Sequence, residues 1–442
     1  MIELSIEWIS VLLLLSFSIL LLLGLPLAWV TGAVGTMFAI LLFDINTTFM
    51  LVSRVFRMTL NYTLVAVPLF VFMAAILQRC GLAEQLFRAV HVWAGGLRGG
   101  LAIGTIISCT IMAAIVGIVG AEIVTFGMVA LPAMLERKYD KRIALGSICA
   151  GGGLATLIPP SVVFIVYAMS AGAPVGELFF AGIIPGLMLA TLFVGYIVVA
   201  TWIKPEMAPA ASAEERDMPL KQKVKMLRGL IMPGVLAVIV LGSIYAGMAT
   251  PTEAAGVGCF GALLTAALNR RLTWTEVKLS LFETTKVSCI IMWLAFGAQT
   301  IIGVYNLAEG DEFVRHAVTA LPFGKWGTII YMQIILIVLG MFLDWIGILM
   351  LTMPLFVPIV LDMGFSNVWF GVVFCMNMHV SYLSPPFGPS IFYLKGVVGE
   401  DISMTDIYNS IWPYLVLTLV ALAFTVVFPQ LSLWLPTKMT GH

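Results

Sequence analysis

Two carboxylates occupy places where carboxylates are expensive. Of the 23 Asp and Glu residues in the chain, only Glu122 and Asp344 fall inside long apolar stretches. Taking an ionisable group into hydrocarbon is costly, so such a residue marks a functional site by default. Three roles suit it: holding a proton, attracting a small cation such as Na+, or capping a helix whose N-terminus favours negative charge. The last is purely structural, and residue type alone leaves all three open.

Two proline pairs supply a second kind of chemistry. The run Ala150-Gly151-Gly152-Gly153-Leu154-Ala155-Thr156-Leu157-Ile158-Pro159-Pro160-Ser161 cannot be continuous helix. Its prolines remove consecutive amide donors and collide with preceding carbonyls, while three glycines lower the cost of unwinding. The freed carbonyls are hard oxygen ligands for a small cation, and the N-terminus of a half-helix suits a carboxylate. A second copy runs from Asn377 through His379, Ser381, Ser384, Pro385, Pro386 and Phe387 to Gly388. There Asn377, Ser381 and Ser384 add side-chain oxygens. One proline kink would be ordinary packing between membrane helices; two related ones beside the acidic stretches point to an ion and substrate site. His379 offers a proton relay, although a lone histidine on a buried helix is more often a packing or hydrogen-bonding residue.

The elements that must position these groups belong to a membrane. The 442 residues are 61% hydrophobic and 10% charged, with mean hydropathy +1.07. Soluble domains run about 45–50% apolar and about 25% charged. Zero net charge without a basic cluster excludes a nucleic-acid binder. The six cysteines are scattered with no CxxC pair, which excludes a disulfide scaffold. HExxH, GxSxG and GxxxxGK[ST] are all absent, which argues against a hydrolase or an ATP-driven pump. The start, MIELSIEW, has no Lys or Arg before Arg54, so no cleaved leader is expected and the first apolar stretch stays in the membrane. Between Arg79 and Arg98, Leu82, Leu86, Phe87 and Val90 recur at helical spacing, which predicts an interfacial helix.

A spanning helix needs about 20 apolar residues. The stretches 100–135 and 326–361 are too long for one span and too short for two. Each has glycines and an acid near its middle: Gly117, Gly120 and Glu122, then Gly340, Asp344 and Gly347. Both are expected to be re-entrant helical hairpins whose irregular tips are buried in protein. With the hairpins non-crossing and the loop 136–142 placed inside, 18 of the 23 Lys and Arg residues lie inside. The positive-inside rule then supports ten spans with both termini outside.

The two halves also match in order. Pro159-Pro160 corresponds to Pro385-Pro386, Pro185 to Pro413, Pro132 to Pro354 and Glu122 to Asp344. The expected architecture is all-α, with a first repeat over 1–203, a charged cytoplasmic linker over 204–228 and a second repeat over 229–442. Each repeat holds a hairpin and a broken span, the latter at 143–170 and 368–394. Five spans per half invert the second repeat relative to the first. Inverted repeats, broken helices and a midplane site are the pattern of secondary transporters; an open channel fits less well, because inverted hairpins imply alternating access.

The stretch carrying GAEIVTFGMVALPAML, RKYDKRIALG, GGGLATLIPPSVVFIVY and LFFAGIIPGLML resembles the large membrane subunit of TRAP, or tripartite ATP-independent periplasmic, transporters. The second half agrees through GMFLDWIGILMLTMPLFVPIV, SPPFGPSIFYLKG and DIYNSIWPYLVL. The likeness covers nearly the whole chain and is strongest to the branch grouped with mannitol or chloroaromatic transporters. It implies a Na+-coupled importer of organic acids in a bacterial inner membrane, working by an elevator motion, with no cofactor beyond the coupling ion. It implies a small Q-type membrane subunit and a periplasmic substrate-binding protein as partners. One cation site would map onto Gly117, Ile118, Gly153, Ile158 and Ser161, and a second onto Gly340, Ser381, Ser384 and Phe387, largely through backbone carbonyls. The surrounding substrate and hairpin region would hold Gly120, Glu122, Pro159, Pro160, Asp344, Asn377, Pro385 and Pro386. Many members have Ser where Ile118 stands and Thr where Ser384 stands, so the first site lacks a side-chain oxygen here. Proton coupling through Glu122 and Asp344 is the alternative reading.

Overall fold

The computed structural model describes residues 4–94, 96–117, 119–210, 219, 223–224, 226–319 and 324–440. Among these the protein is all-helical, with twenty α-helices and no strand. Most of the charged part of the linker 204–228 lies outside the described residues.

The first half begins with α1 (Ile6–Leu22) and α2 (Leu27–Leu42). Then α3 (Thr47–Thr59) joins α4 (Thr63–Arg79) at a bend of 55°. The short amphipathic α5 (Leu82–Ala94) follows, burying Leu82, Leu86 and Phe87 as its spacing predicts. The first hairpin is α6 (Gly100–Val116) with α7 (Ala121–Glu136), the first broken span is α8 (Lys141–Gly153) with α9 (Val162–Ala171), and α10 (Val175–Ile203) closes the half.

The second half repeats that order. It runs α11 (Arg228–Tyr245), α12 (Pro251–Leu268), the 34-residue α13 (Trp274–Leu307) and the short α14 (Gly310–Thr319). The second hairpin is α15 (Gly324–Gly340) with α16 (Trp345–Asp362), and the second broken span is α17 (Asn367–Leu383) with α18 (Pro389–Lys395). Then come α19 (Met404–Val427) and the terminal α20 (Gln430–Thr440). The bent α3–α4 arm thus has a continuous counterpart in α13.

Contacts between the halves are reciprocal. Helix α2 runs along α13 while its counterpart α12 runs along α4. Likewise α8 meets α19 while α17 meets α10, and α9 meets α16 while α18 meets α7. Small residues permit the α2–α13 approach: Gly35 faces Thr300 and Gly297 faces Thr31, a common arrangement where helices pack without a hydrophobic drive.

Among the described residues five helices, α10, α12, α13, α16 and α19, are individually long and apolar enough to cross a membrane, and the α3–α4 pair makes a sixth together. Several apolar stretches contribute helices of only 10–17 residues, reaching at most about 25 Å at 1.5 Å per residue against a core of about 30 Å. Helix α3 occupies a segment for which the sequence alone predicts no element.

Helix starts are capped by side chains. Asp140 accepts from the Arg142 amide, and Ser366 from those of Val368 and Trp369. At α19, Ser403 and Asp406 form a reciprocal capping box, and Asp406 also accepts from Lys141 Nζ at 3.0 Å. Ser403→Ala is expected to destabilise the protein by about 1 kcal/mol, read as a lower thermal unfolding midpoint with uptake unchanged.

Candidate functional site

The first centre forms where a hairpin tip meets a proline pair. Helix α6 ends on Gly117 (φ 65°), and Gly120 (φ 98°) precedes α7. Ile118, expected beside them, lies outside the described residues. A Cβ on Gly117 would overlap the Pro160 carbonyl oxygen, and the Val162 amide donates to the Gly117 carbonyl at 3.5 Å. Two prolines without N–H groups leave the carbonyls one turn back without helical partners. Ser161 Oγ takes one of them, donating to the Thr156 carbonyl at 3.0 Å, and Thr156 Oγ1 donates to Gly153 O at 3.0 Å. Gly153, Ile158, Pro159, Pro160 and Ser161 are all buried here.

The second centre repeats the construction. Helix α15 ends on Gly340, where an added Cβ would overlap Ser381 Oγ and Cβ on α17. Ser381 Oγ donates to Asn377 O at 3.1 Å, Ser384 Oγ to Val380 O at 2.8 Å, and the Ser384 amide to Ser381 O at 3.2 Å. The Pro385-Pro386 turn is tied to α19 by Tyr408 Oη, which donates to Pro386 O at 2.8 Å. The Phe387 side chain is exposed and stands in a row with Phe342 of the hairpin tip and Phe392 of α18, ring centroids 6.4 and 6.2 Å apart. Both proline pairs contain a cis peptide bond.

At each centre two helix C-termini point their carbonyl ends at one loop, which favours a cation, while the next helices begin there with N-termini that favour an anion. The donors offered are backbone carbonyls and hydroxyls, the hard oxygens a small monovalent cation takes. Among the described residues no group of three or more His, Cys, Asp or Glu comes together.

Between the centres, Gly153 faces the His379 ring, whose Cε1 would lie 2.6 Å from a Cβ there. The two residues hold equivalent positions in the two halves, so the broken spans cross at this contact. His379 is fully buried, and Phe193 packs on its ring with centroids 5.8 Å apart.

The two acidic residues, equivalent in sequence, differ in environment. Glu122 is 1% exposed in the first turn of α7, and neither of its carboxylate oxygens has a hydrogen-bond partner among the described residues. Asp344 holds the N-cap position of α16 with extended backbone (φ −74°, ψ 159°) and is exposed. It opens into a largely apolar cavity of ≈ 520 Å³ lined by Leu27, Trp29, Cys289 and Trp293.

Gln333 escaped the sequence reading. It sits on α15 and accepts from Asn377 Nδ2 through both its side-chain oxygen (2.8 Å) and its carbonyl (3.0 Å), tying hairpin to broken span. A lone amide in an apolar stretch, facing another in the neighbouring stretch, was the available signal.

The sequence pattern of the family described as "Tripartite ATP-independent periplasmic transporter, DctM component" matches residues 14–431. The chain belongs to that family. As a DctM-family member it is a multi-pass membrane component of a transporter and not an enzyme. Permeases of this family work with a small membrane subunit and a periplasmic binding protein. The chain is 32% identical over 400 residues to the C4-dicarboxylate TRAP transporter large permease protein DctM of Pseudomonas aeruginosa, covering 90% of this chain and 91% of that one. It is 28% identical over 375 residues to the isethionate TRAP transporter permease protein DctMQ of Oleidesulfovibrio alaskensis, 85% of this chain and 58% of that protein. The fold is shared with the solved structure of Neisseria gonorrhoeae MtrF, with TM-score 0.57, 14% identity and coverage of 85% of this chain and 82% of that one.

Proposed function

We propose that this DctM-family permease drives secondary import of small organic anions with Na+, receives them from a periplasmic binding protein, and exchanges access by an elevator motion of hairpins and broken spans. In this reading the chain sits in a bacterial inner membrane as two inverted repeats, 1–203 and 229–442, with both termini in the periplasm. The observation that carries it is the paired clasp: Gly117 on Pro160 and Gly340 on Ser381. Each brings helix C-terminal carbonyls and hydroxyls into a compact oxygen-rich turn suited to Na+. The substrate class is drawn from relatives named for C4-dicarboxylates and isethionate, both small organic anions. The likeness to the mannitol or chloroaromatic branch is kept as a sequence relationship that names no substrate. The extra length of the DctMQ relative accords with a fused small subunit, which this chain would meet as a separate protein.

A proton-coupled reading has one observation in its favour, the buried and unpartnered Glu122 carboxylate. Uptake of labelled succinate into proteoliposomes holding the permease, its small subunit and an external binding protein separates the two. Glu122→Gln is expected to lower Na+-driven uptake by less than about tenfold, under ~1.4 kcal/mol of barrier. Uptake that ignores Na+, follows a pH gradient and disappears in Glu122→Gln would replace sodium with the proton.

A further inference from the structure

The geometry points to a second anion-binding site, separate from the hairpin tips, that takes the carboxylate or sulfonate end of the transported anion on its way inward. It is the polar cavity of ≈ 450 Å³ where α3, α9, α13 and α16 meet, lined by Arg54, Arg57, Asn61, Ser170 and Gln299.

Two guanidinium groups three residues apart on α3 face the same pocket, where like charges repel. Among the described residues neither arginine makes an ion pair, and the buried Arg54 Nε has no hydrogen-bond partner. A buried donor left unpaired is costly. An oxyanion in the pocket would neutralise the pair at once, through the planar fork that matches carboxylate and sulfonate oxygens. The amides of Asn61 and Gln299 and the Ser170 hydroxyl supply further donors at a volume suited to a small organic acid.

The plain alternative is that these arginines reach out to lipid headgroups from an amphipathic helix whose Phe49, Val52 and Phe56 are exposed. The course of Arg54 argues otherwise. Its side chain lies across α13, with Cδ 3.2 Å from where a Cβ on Gly303 would stand. Its buried Nε is turned into the protein rather than toward the helix's apolar face.

The location gives the pocket its role. Met350 of α16 lines it, six residues on from Asp344 and so about 9 Å along the helix axis. Helix α16 therefore carries the arginine pocket on its outer part and the cavity open to Asp344 at its tip. In the proposed topology the arginines face the periplasm and the Asp344 cavity the cytoplasm, which makes the pocket the first stop for an anion delivered from outside. That sidedness rests on the proposed function; anion binding by the arginines does not.

The test is equilibrium binding of labelled succinate and isethionate to the permease with its small subunit, in phosphatidylcholine nanodiscs and Na+-free buffer. Saturable binding that weakens with ionic strength is expected, reduced at least about tenfold in Arg54→Gln/Arg57→Gln. To guard against a misfolded variant, the unsubstituted protein is also treated with phenylglyoxal, and succinate is expected to shield Arg54 and Arg57 from modification. No saturable binding of either anion, equal binding by the variant, or no shielding would overturn the assignment. So would loss of binding when phosphatidylglycerol is mixed into the discs, which would give the pocket to a lipid headgroup. Na+-free binding that persists while Na+-driven uptake fails would remove the sodium coupling and leave this site in place.

Discussion

Replacing Gly117 with alanine is expected to abolish uptake, by at least about a hundredfold or ~2.7 kcal/mol of barrier. Two penalties coincide there. The residue has φ 65°, a left-handed conformation that costs a non-glycine residue about 1–2 kcal/mol. A Cβ would also overlap the Pro160 carbonyl oxygen, a backbone atom that cannot rotate aside. The hairpin tip must then leave the proline turn, and the first centre opens. Gly172 at the end of α9 supplies the control: its φ is 63°, but nothing lies within 4 Å of an added Cβ. Gly172→Ala should therefore show the conformational cost alone, a lowered unfolding midpoint with uptake largely kept. Equal losses of transport in the two variants would mean that backbone strain, and not the clasp, explains Gly117.

The second large effect is expected at Gly340. In Gly340→Ala the new methyl meets Ser381 Cβ as well as Oγ, so rotating the hydroxyl gives no relief and α15 must separate from α17. Half-saturating Na+ for uptake should rise at least about tenfold, ~1.4 kcal/mol of lost ion binding. The double variant Gly340→Ala/Ser381→Gly divides the causes. It removes the collision at about 0.5–1 kcal/mol for a glycine in a helix, but it also deletes the Ser381 oxygen. Its unfolding midpoint should recover while the weak Na+ dependence stays. Recovery of both would make Ser381 a packing residue; recovery of neither would place the damage outside the clasp.

Much of this construction was legible in the residue order. Apolar runs of the wrong length, each with glycines and an acid near the middle, located both hairpins to within two residues: 100–135 against α6–α7, and 326–361 against α15–α16. The proline pairs located both breaks: single prolines such as Pro132 and Pro185 are accommodated inside continuous helices, whereas two in succession remove adjacent amide donors. What was less legible depends on contacts. Glu122 and Asp344 are equivalent in sequence, yet one is sealed and the other opens into a cavity, a difference set by which helices lie across each tip. Gln333 carries no charge and so escaped an inventory of ionisable groups, although it ties α15 to Asn377. Arg54 and Arg57 carry no signal of their own in the residue order. Only the folding of 47–59 into α3, with Phe49, Val52 and Phe56 on an exposed face, turns them into a paired wall of a pocket.

The most direct test of sodium coupling is to follow labelled Na+ and labelled succinate together in proteoliposomes holding the permease, its small subunit and external binding protein. Succinate with the binding protein should accelerate Na+ flux into the vesicles, and Gly340→Ala should depress both fluxes at low Na+. Succinate accumulation with no accompanying Na+ would contradict the account and turn the two oxygen-rich turns into structural joints.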